Sequence, residues 1–442
     1  MHESFKALLP LIIPEGVSDY FQLTDHKKDT TGIHIYLEEI NSIPVEYKTN
    51  KLLSKGFFDE VILQDFPIRG QEVYLHVKRR RWWNLDTGKV VHRDWNVVAI
   101  GTRITSDFAA FLKAISRYQP HSLQTIASFY GIKGKKLQRY YRDQLSEYKN
   151  WEHRTDARKG LIFPQNIGPY LSIDETSLSQ GELYTVVTNK EARGKKGTLV
   201  AIMEGTRSEN IIPLLQKIPQ RLRNKVREIT LDLAGNMSLI AKKCFPFASQ
   251  VIDRFHVQQL ATEALQEIRI KYRWEAIDAE NQALEEAKAT KTNYSPEILS
   301  NGDTLKQLLA RSRYLLYKDQ QNWSAEQAER ASLLFERYPS LEKAYQLTRG
   351  LSWIFSNTKD KLYAFARLAR WNEKVEQSGF KSFNTIARTI NLHHNNILNY
   401  FDNRSTNASA ESFNAKIKAF RAQYRGVGNV NFFLFRLMKL FA

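Results

Sequence analysis

The chain has 442 residues, 42% of them hydrophobic, with 65 Lys plus Arg against 47 Asp plus Glu and a formal charge of +18. That length predicts two to four folded units, and the cation excess predicts a polyanionic partner. The single cysteine, Cys244, excludes a disulfide framework and a cysteine-ligated zinc site, and no run of 18 apolar residues is present to cross a bilayer.

The opening MHESFKALLPLIIPEG is too short in its apolar patch, and too broken by proline, for a signal peptide, so a cytoplasmic protein is expected. Residues 1–104 read as a basic region of short strands. EVYLHVKRRRWWNLDTGKVVHRDWNVVAIG has the grammar of a hairpin: VYLHV alternates, Asn84 to Lys89 supplies turn residues, and VVHRDWNVVAI leads back. Lys78, Arg79, Arg80, Arg81, Trp82 and Trp83 stand together near its tip, a set suited to phosphate contact with indole packing. A solvated edge strand guarded by charge would read the same way.

Residues 105–150 predict three helices. SDFAAFLKAISRY is the first, and HSLQTIASFYGIKGKKLQRYYRDQL then has helix-turn-helix spacing. Ala127 is small where two helices cross, and Gly131 gives the turn a permissive backbone. Ile126, Tyr130, Ile132, Leu137 and Tyr140 fall at core positions. Lys133, Lys135, Lys136, Gln138, Arg139 and Arg142 lie on or beside the second helix of the motif, suited to a DNA major groove.

Residues 168–260 change character. GPYLSIDETSL, ELYTVVTN and GTLVAIME predict a three-stranded meander, with turns at Gln180-Gly181 and near Arg193-Gly194. A helix, the strand REITLDLAG, the helix MSLIAKKCFPF and the short strand SQVID follow. That order is the order of a ribonuclease H-like α/β core. Residues 261–398 are helical, charged and aromatic, and predict an all-α insertion. Residues 399–442 return to the core with a final helix, on which Phe413, Ile417, Phe420 and Tyr424 form an apolar stripe. Glu411, Asn414, Lys418, Arg421 and Arg425 fall on the adjacent polar face. An acidic first turn matched to the helix dipole would explain Glu411 equally well by itself.

Three acids stand out in this layout. Asp174 and Asp232 interrupt or end strand-like runs, and Glu411 opens the last helix. Carboxylates converging from strand ends and a helix can hold two Mg²⁺ ions, with Mn²⁺ able to substitute, and such a pair can cut and rejoin a phosphodiester backbone.

Three segments carry a resemblance: DETSLSQGELYTVVTN, then LDLAGNM with FPFASQVIDRFHVQQL, then STNASAESFNAKIKAFRAQYRG. Together they resemble a bacterial insertion-sequence transposase of the DDE class, in the ISL-three group and its ISAon-like branch. KGFFDE, FPIRG and RRRWWN extend the likeness into the N-terminal half. The resemblance implies that Asp174, Asp232 and Glu411 are the metal-holding catalytic acids. It gives Asp253 and His256 of DRFH a supporting place at the site, with Asp253 as second metal ligand the rival assignment. It implies double-stranded DNA partners, both terminal inverted repeats and target, and a homodimer or larger synaptic complex in the nucleoid. Relatives often carry a cysteine zinc ribbon near the basic hairpin. Here that stretch has no cysteine, so no zinc is expected. A non-catalytic DNA-binding derivative of a transposase, and a nuclease acting on RNA–DNA hybrids, are the readings that compete.

Overall fold

The strands before Val91 alternate apolar and polar residues and sort into two small sheets. In the computed structural model, which describes residues 12–94, 97–179, 181–424 and 427–442, these are β1 (Phe21–Asp29), β2 (Gly32–Glu39), β3 (Leu52–Phe57), β4 (Val61–Ile68), β5 (Gln71–Lys78), β6 (Arg80–Asn84) and β7 (Lys89–Val91). One sheet has the order β1-β2-β5-β4 and the other β3-β6-β7. The single hairpin expected from Val73 onward is therefore divided. β6 and β7 form the hairpin, with Trp82 opposite Val91, while β5 belongs to the neighbouring sheet. The break falls at Arg79, whose guanidinium donates to the Arg93 carbonyl at 2.6 Å. Glu39, 1% exposed, holds the junction by pairing with Arg93 at 3.0 Å and accepting the Arg80 N–H at 2.8 Å.

Three helices follow: α1 (Ser106–Tyr118), α2 (Leu123–Phe129) and α3 (Gly134–Tyr140). Thr105 and Ser122 cap the first two through hydroxyl acceptors. Gly131 takes φ +64° in the α2–α3 turn, and Ala127, Leu137 and Ile126 are buried where the helices meet.

The central sheet has six strands: β8 (Gly160–Ile162), β9 (Tyr170–Ser179), β10 (Glu182–Asn189), β11 (Leu199–Glu204), β12 (Glu228–Leu231) and β13 (Ser249–Ile252), in the order β13-β12-β9-β10-β11-β8. β12 is parallel to both β9 and β13, and β10 is antiparallel to β11. Residues 199–203 of β11 are buried, as a continuous apolar run covered on both faces should be, and all of β12 is buried too, with its polar Glu228 and Thr230 partnered by Lys190. Gln180, one of the expected turn residues, lies outside the described residues. The other expected turn is present, with Arg193 at φ 50° and Gly194 at φ 72°.

Helices α4 (Ser208–Leu215) and α5 (Gly235–Cys244) accompany this sheet. Then come α6 (Arg254–Ala289), α7 (Leu305–Arg311), α8 (Ala325–Arg337), α9 (Pro339–Asn357), α10 (Lys361–Ser378) and α11 (Lys381–Leu392). One continuous core runs from Leu171 and Ile229 in the sheet to Leu351, Trp371 and Phe383 in these helices. The chain closes with α12 (Ala408–Ala422), which carries Glu411, and α13 (Val430–Phe441).

By contact the chain divides into two units. One holds residues up to Leu161 with Ser177–Leu183 and Asn414–Ala442, and the other holds Ile162–Thr176 with Tyr184–Phe413. Helix α13 was not anticipated from the sequence. Its Phe432 and Phe435 complete the core beneath α1–α3. Its Arg436, 1% exposed, donates to the carbonyls of Ser116 and His121 at 2.7 and 2.8 Å and to the Tyr424 hydroxyl at 2.7 Å. Arg436→Met leaves these buried acceptors unpaired. It should lower stability by about 1–3 kcal/mol, read as a lower urea midpoint, with Arg436→Lys falling between variant and wild type.

Candidate active site

Parallel pairing sets the level of the acidic residues. β12 faces β9 with Glu228 opposite Tyr170, Ile229 opposite Leu171 and Thr230 opposite Ser172. Two residues further along this register, Asp232 falls level with Asp174. β12 faces β13 with Leu231 opposite Ile252, so the next pair is Asp232 with Asp253. Extending the two registers puts Asp174, inside β9, in one row with Asp232 and Asp253, the residues that follow β12 and β13, on strands that lie about 4.8 Å apart. The Asp232 carboxylate accepts the Ala234 N–H at 2.8 Å, a local turn that stops β12 and starts the approach to α5.

Electrostatics tie Glu411 and His256 to this row. Burial pushes the Asp174 carboxyl above the usual carboxylate range. The Glu175 N–H, donating at 2.8 Å, opposes the shift, as does His256, while Asp232 and Glu411 add to it. Glu175 is also raised, first by burial and then by Asp232 and Asp174. Asp174 and Asp232 are half-buried and Glu411 is exposed. Among the described residues, no three His, Cys, Asp or Glu side chains lie close enough to enclose an ion. The donor set is nonetheless all carboxylate oxygen, the hard chemistry that Mg²⁺ and Mn²⁺ prefer. A cation there would oppose the burial that raises Asp174 and the lesser push from Asp232 and Glu411.

Asp253 is 2% exposed and differs from its neighbours in the row. One of its oxygens caps α6 by accepting the Phe255 N–H at 3.0 Å, and the other accepts the Asn407 N–H at 2.7 Å. Asn407 in turn accepts the Glu411 N–H through its carbonyl at 3.0 Å. A single carboxylate therefore joins the start of the helix bearing His256 to the start of the helix bearing Glu411. The Asn407 side chain is fully buried, and neither of its amide atoms has a hydrogen-bond partner among the described residues.

Sequence reasoning missed a second anchor. Lys190, at the end of β10, donates to the hydroxyls of Thr230 (2.8 Å) and Ser405 and lies 3.7 Å from Glu228. Asn403 donates to the same Glu228 at 3.2 Å. Burial lowers the Lys190 ammonium pKa, opposed by Glu228 and Asp253. No motif marks Lys190, because its partners are 40 and 215 residues away in the chain.

The expected DNA-contact residues divide into two kinds. Lys133, Lys135, Arg139 and Lys418 are exposed. Arg81 is exposed too, although its guanidinium donates to the Lys55 carbonyl. Lys78 pairs with Glu38, Arg80 donates to Glu39 and Ser54, Lys136 lies over the Tyr140 ring, and Arg142 pairs with Asp143. Arg421 donates to the Ser177 carbonyl. Trp82, expected beside DNA, is 3% exposed and packs inward, because on β6 it sits on the face opposite Arg81. Arg425 lies outside the described residues.

With this geometry in view, the family comparison is decisive. Residues 171–437 match the ISL3 (ISL-three) family model of DDE transposases, described as Transposase. The chain belongs to this family. A curated relative, the transposase for insertion sequence element IS1001 of Bordetella parapertussis, is 23% identical over 387 residues, covering 86% of this chain and 84% of the relative. Among solved structures, the Drosophila P element transposase strand transfer complex aligns over 76% of this chain and 91% of that one. Its identity is 14% and its TM-score 0.36, too loose a likeness to bear on function. The chain is thus an ISL3-group insertion-sequence transposase, and none of its described helices is long and apolar enough to cross a membrane.

The double duty of Asp253 in this transposase is measurable. Asp253→Ala removes a helix cap, worth about 1 kcal/mol, and orphans the buried Asn407 N–H, worth about 1–3 kcal/mol. Chemical denaturation should show a loss in that combined range. Asp253→Asn keeps one acceptor oxygen and should lose less.

Proposed function

We propose that this DNA transposase binds the terminal inverted repeats of its element and catalyses Mg²⁺-dependent strand cleavage and strand transfer, with Asp174, Asp232 and Glu411 as the metal-holding acids. The observation that carries the reading is the shared register of Asp174 and Asp232, together with the upward push that Asp232 and Glu411 exert on Asp174. The strand order β13-β12-β9-β10-β11, with β12 entering parallel beside the first strand of the meander, supports a ribonuclease H-like core with a helical insertion between the second and third acids.

Two Mg²⁺ ions, when bound, supply the Lewis acidity that activates a water or a DNA 3′-hydroxyl and stabilises the leaving oxygen. The protein's own groups have separate duties. Asp174 and Asp232 present their carboxylates from adjacent strands, and Glu411 presents a third from α12. Asp253 fixes the entry to α12, and Lys190 holds the loop ahead of it through Ser405. His256, half-buried in the first turn of α6, acts electrostatically on Asp174. The reaction consists of hydrolysis at the element ends and attack of the freed 3′-hydroxyl on target DNA, with no covalent enzyme intermediate. Exposed Lys133, Lys135 and Arg139 on or beside α3 fit a helix that enters duplex DNA. Pairing of two element ends calls for a dimer or larger assembly.

Asp174→Asn, Asp232→Asn and Glu411→Gln should each reduce Mg²⁺-dependent nicking of terminal-repeat DNA by about a thousandfold or more, equivalent to about 4 kcal/mol of barrier. Affinity for the same DNA should change little. Equal loss of binding and nicking would overturn the metal-holding role.

A second test needs no activity. In the metal-free protein Asp174 titrates above its unfolded value. Its ionisation therefore disfavours the fold increasingly as pH rises from about 4 through the folded pKa. Asp174→Asn should raise the melting midpoint at neutral pH in chelator, and should abolish the stabilisation that added Mg²⁺ gives the wild type.

A further inference from the structure

Helices α9 and α10 run one after the other in the helical segment between Asp232 and Glu411, and a groove of about 730 Å³ opens between them. That volume is in the range of built ligand sites. Its cationic lining is Lys343 from α9 and Arg367, Arg370 and Lys374 from α10, and no carboxylate lines it. The acids of the same helices, Glu342, Glu373 and Glu376, are not among the lining residues.

The spacing explains the arrangement. Arg367, Arg370 and Lys374 step by three and four, so they share one face of α10. Lys343, Gln346, Gly350 and Trp353 step by three, four and three along the facing stripe of α9. Arg370 and Lys374 are exposed and make no ion pair among the described residues. Four cations crowded on two helices repel one another, so their proximity favours a polyanion.

The groove is also aromatic. Trp371 forms its buried floor, with the indole N–H donated to the Leu347 carbonyl at 2.8 Å. Trp353 stands at the edge, 51% exposed, with the Arg367 guanidinium 4.7 Å from its ring centroid. Arg367 is further held by donation to the Thr358 hydroxyl at 2.8 Å. A half-exposed indole beside a guanidinium offers a stacking surface, and a base in an intact duplex has no free face to meet it.

From this groove we infer a binding site for single-stranded DNA, in which phosphates follow Lys343, Arg367, Arg370 and Lys374 and one unpaired base stacks on Trp353. Basic grooves with an aromatic platform hold single strands in this way, largely without regard to sequence. From Lys343 to Ile354 the α9 wall runs about 16 Å, the length of a few nucleotides. The inference deepens the transposase reading, since strand cleavage creates DNA ends that can unpair, but it stands on its own residues.

The test uses the full-length protein and a dye-labelled 12-nucleotide single strand, with anisotropy measured across a salt series. Arg370→Glu with Lys374→Glu should weaken binding tenfold or more. The log–log salt slope should become shallower by about 1.4, since each phosphate contact on a single strand contributes about 0.7. Trp353→Ala should weaken binding by about fivefold or more, while Trp353→Phe retains most of the affinity. The Arg370→Gln/Lys374→Gln pair provides the same reading if the charge reversal impairs folding. Duplex binding by the Trp353 variants should change less than twofold. Unchanged single-strand affinity in the charge variants would overturn the inference. So would a Trp353→Ala variant that binds like wild type, or saturation of the groove by a free mononucleotide in competition with the strand. Asp174→Asn should bind the single strand normally, so a failure of the catalytic reading is distinguishable from a failure of this one.

Discussion

Two parallel strand pairings in fixed register govern the acidic site of this transposase. With β9, β12 and β13 side by side, a slip of one residue in either pairing would turn Asp232 away from Asp174 or from Asp253. The β12 sequence resists that slip, because it would exchange apolar Ile229 and Leu231 with Glu228 and Thr230, whose side chains are held by Lys190. The Asp174 carboxyl is raised chiefly by burial, with Asp232 and Glu411 adding to the shift.

The third acid comes from a helix and needs a different device. Asp253 has little exposure and no oxygen without a hydrogen bond. It serves as a joint between α6 and the chain entering α12. Lys190 does similar work one strand away, through Ser405 and Glu228. Both anchors act on the backbone or loop ahead of Glu411, leaving the Glu411 side chain itself exposed.

The basic surplus of the chain is not one uniform coat. Around β6 the cations are largely turned to structure: Arg79 and Arg80 donate to backbone carbonyls, and Arg93 pairs with buried Glu39. On α3, Lys135 and Arg139 are exposed, and the cations of the α9–α10 groove stand on a surface that no carboxylate lines. A cluster of arginines in the sequence does not distinguish these uses. Hydrogen-bond partners distinguish them, and those partners lie tens of residues away.

Much of the architecture was legible along the chain. The meander, the later strand carrying Asp232, the helix-rich stretch and the Phe413, Ile417 and Phe420 stripe of α12 all have local signatures, because periodicity and turn residues act over a few positions. The family was legible as well, through motifs around Asp174, Asp232, DRFH and Glu411. Side-chain fate was not. Trp82 went to the interior, the hairpin divided at Arg79, α13 completed the core beneath α1–α3, and Asp253 became a joint between two helices. Each of these outcomes depends on strand register and on contacts between residues distant in sequence. The chain by itself determined the family and most of the segments that would be strands or helices. Only the tertiary structure decided which charges would meet, because register and burial are properties of the packed whole.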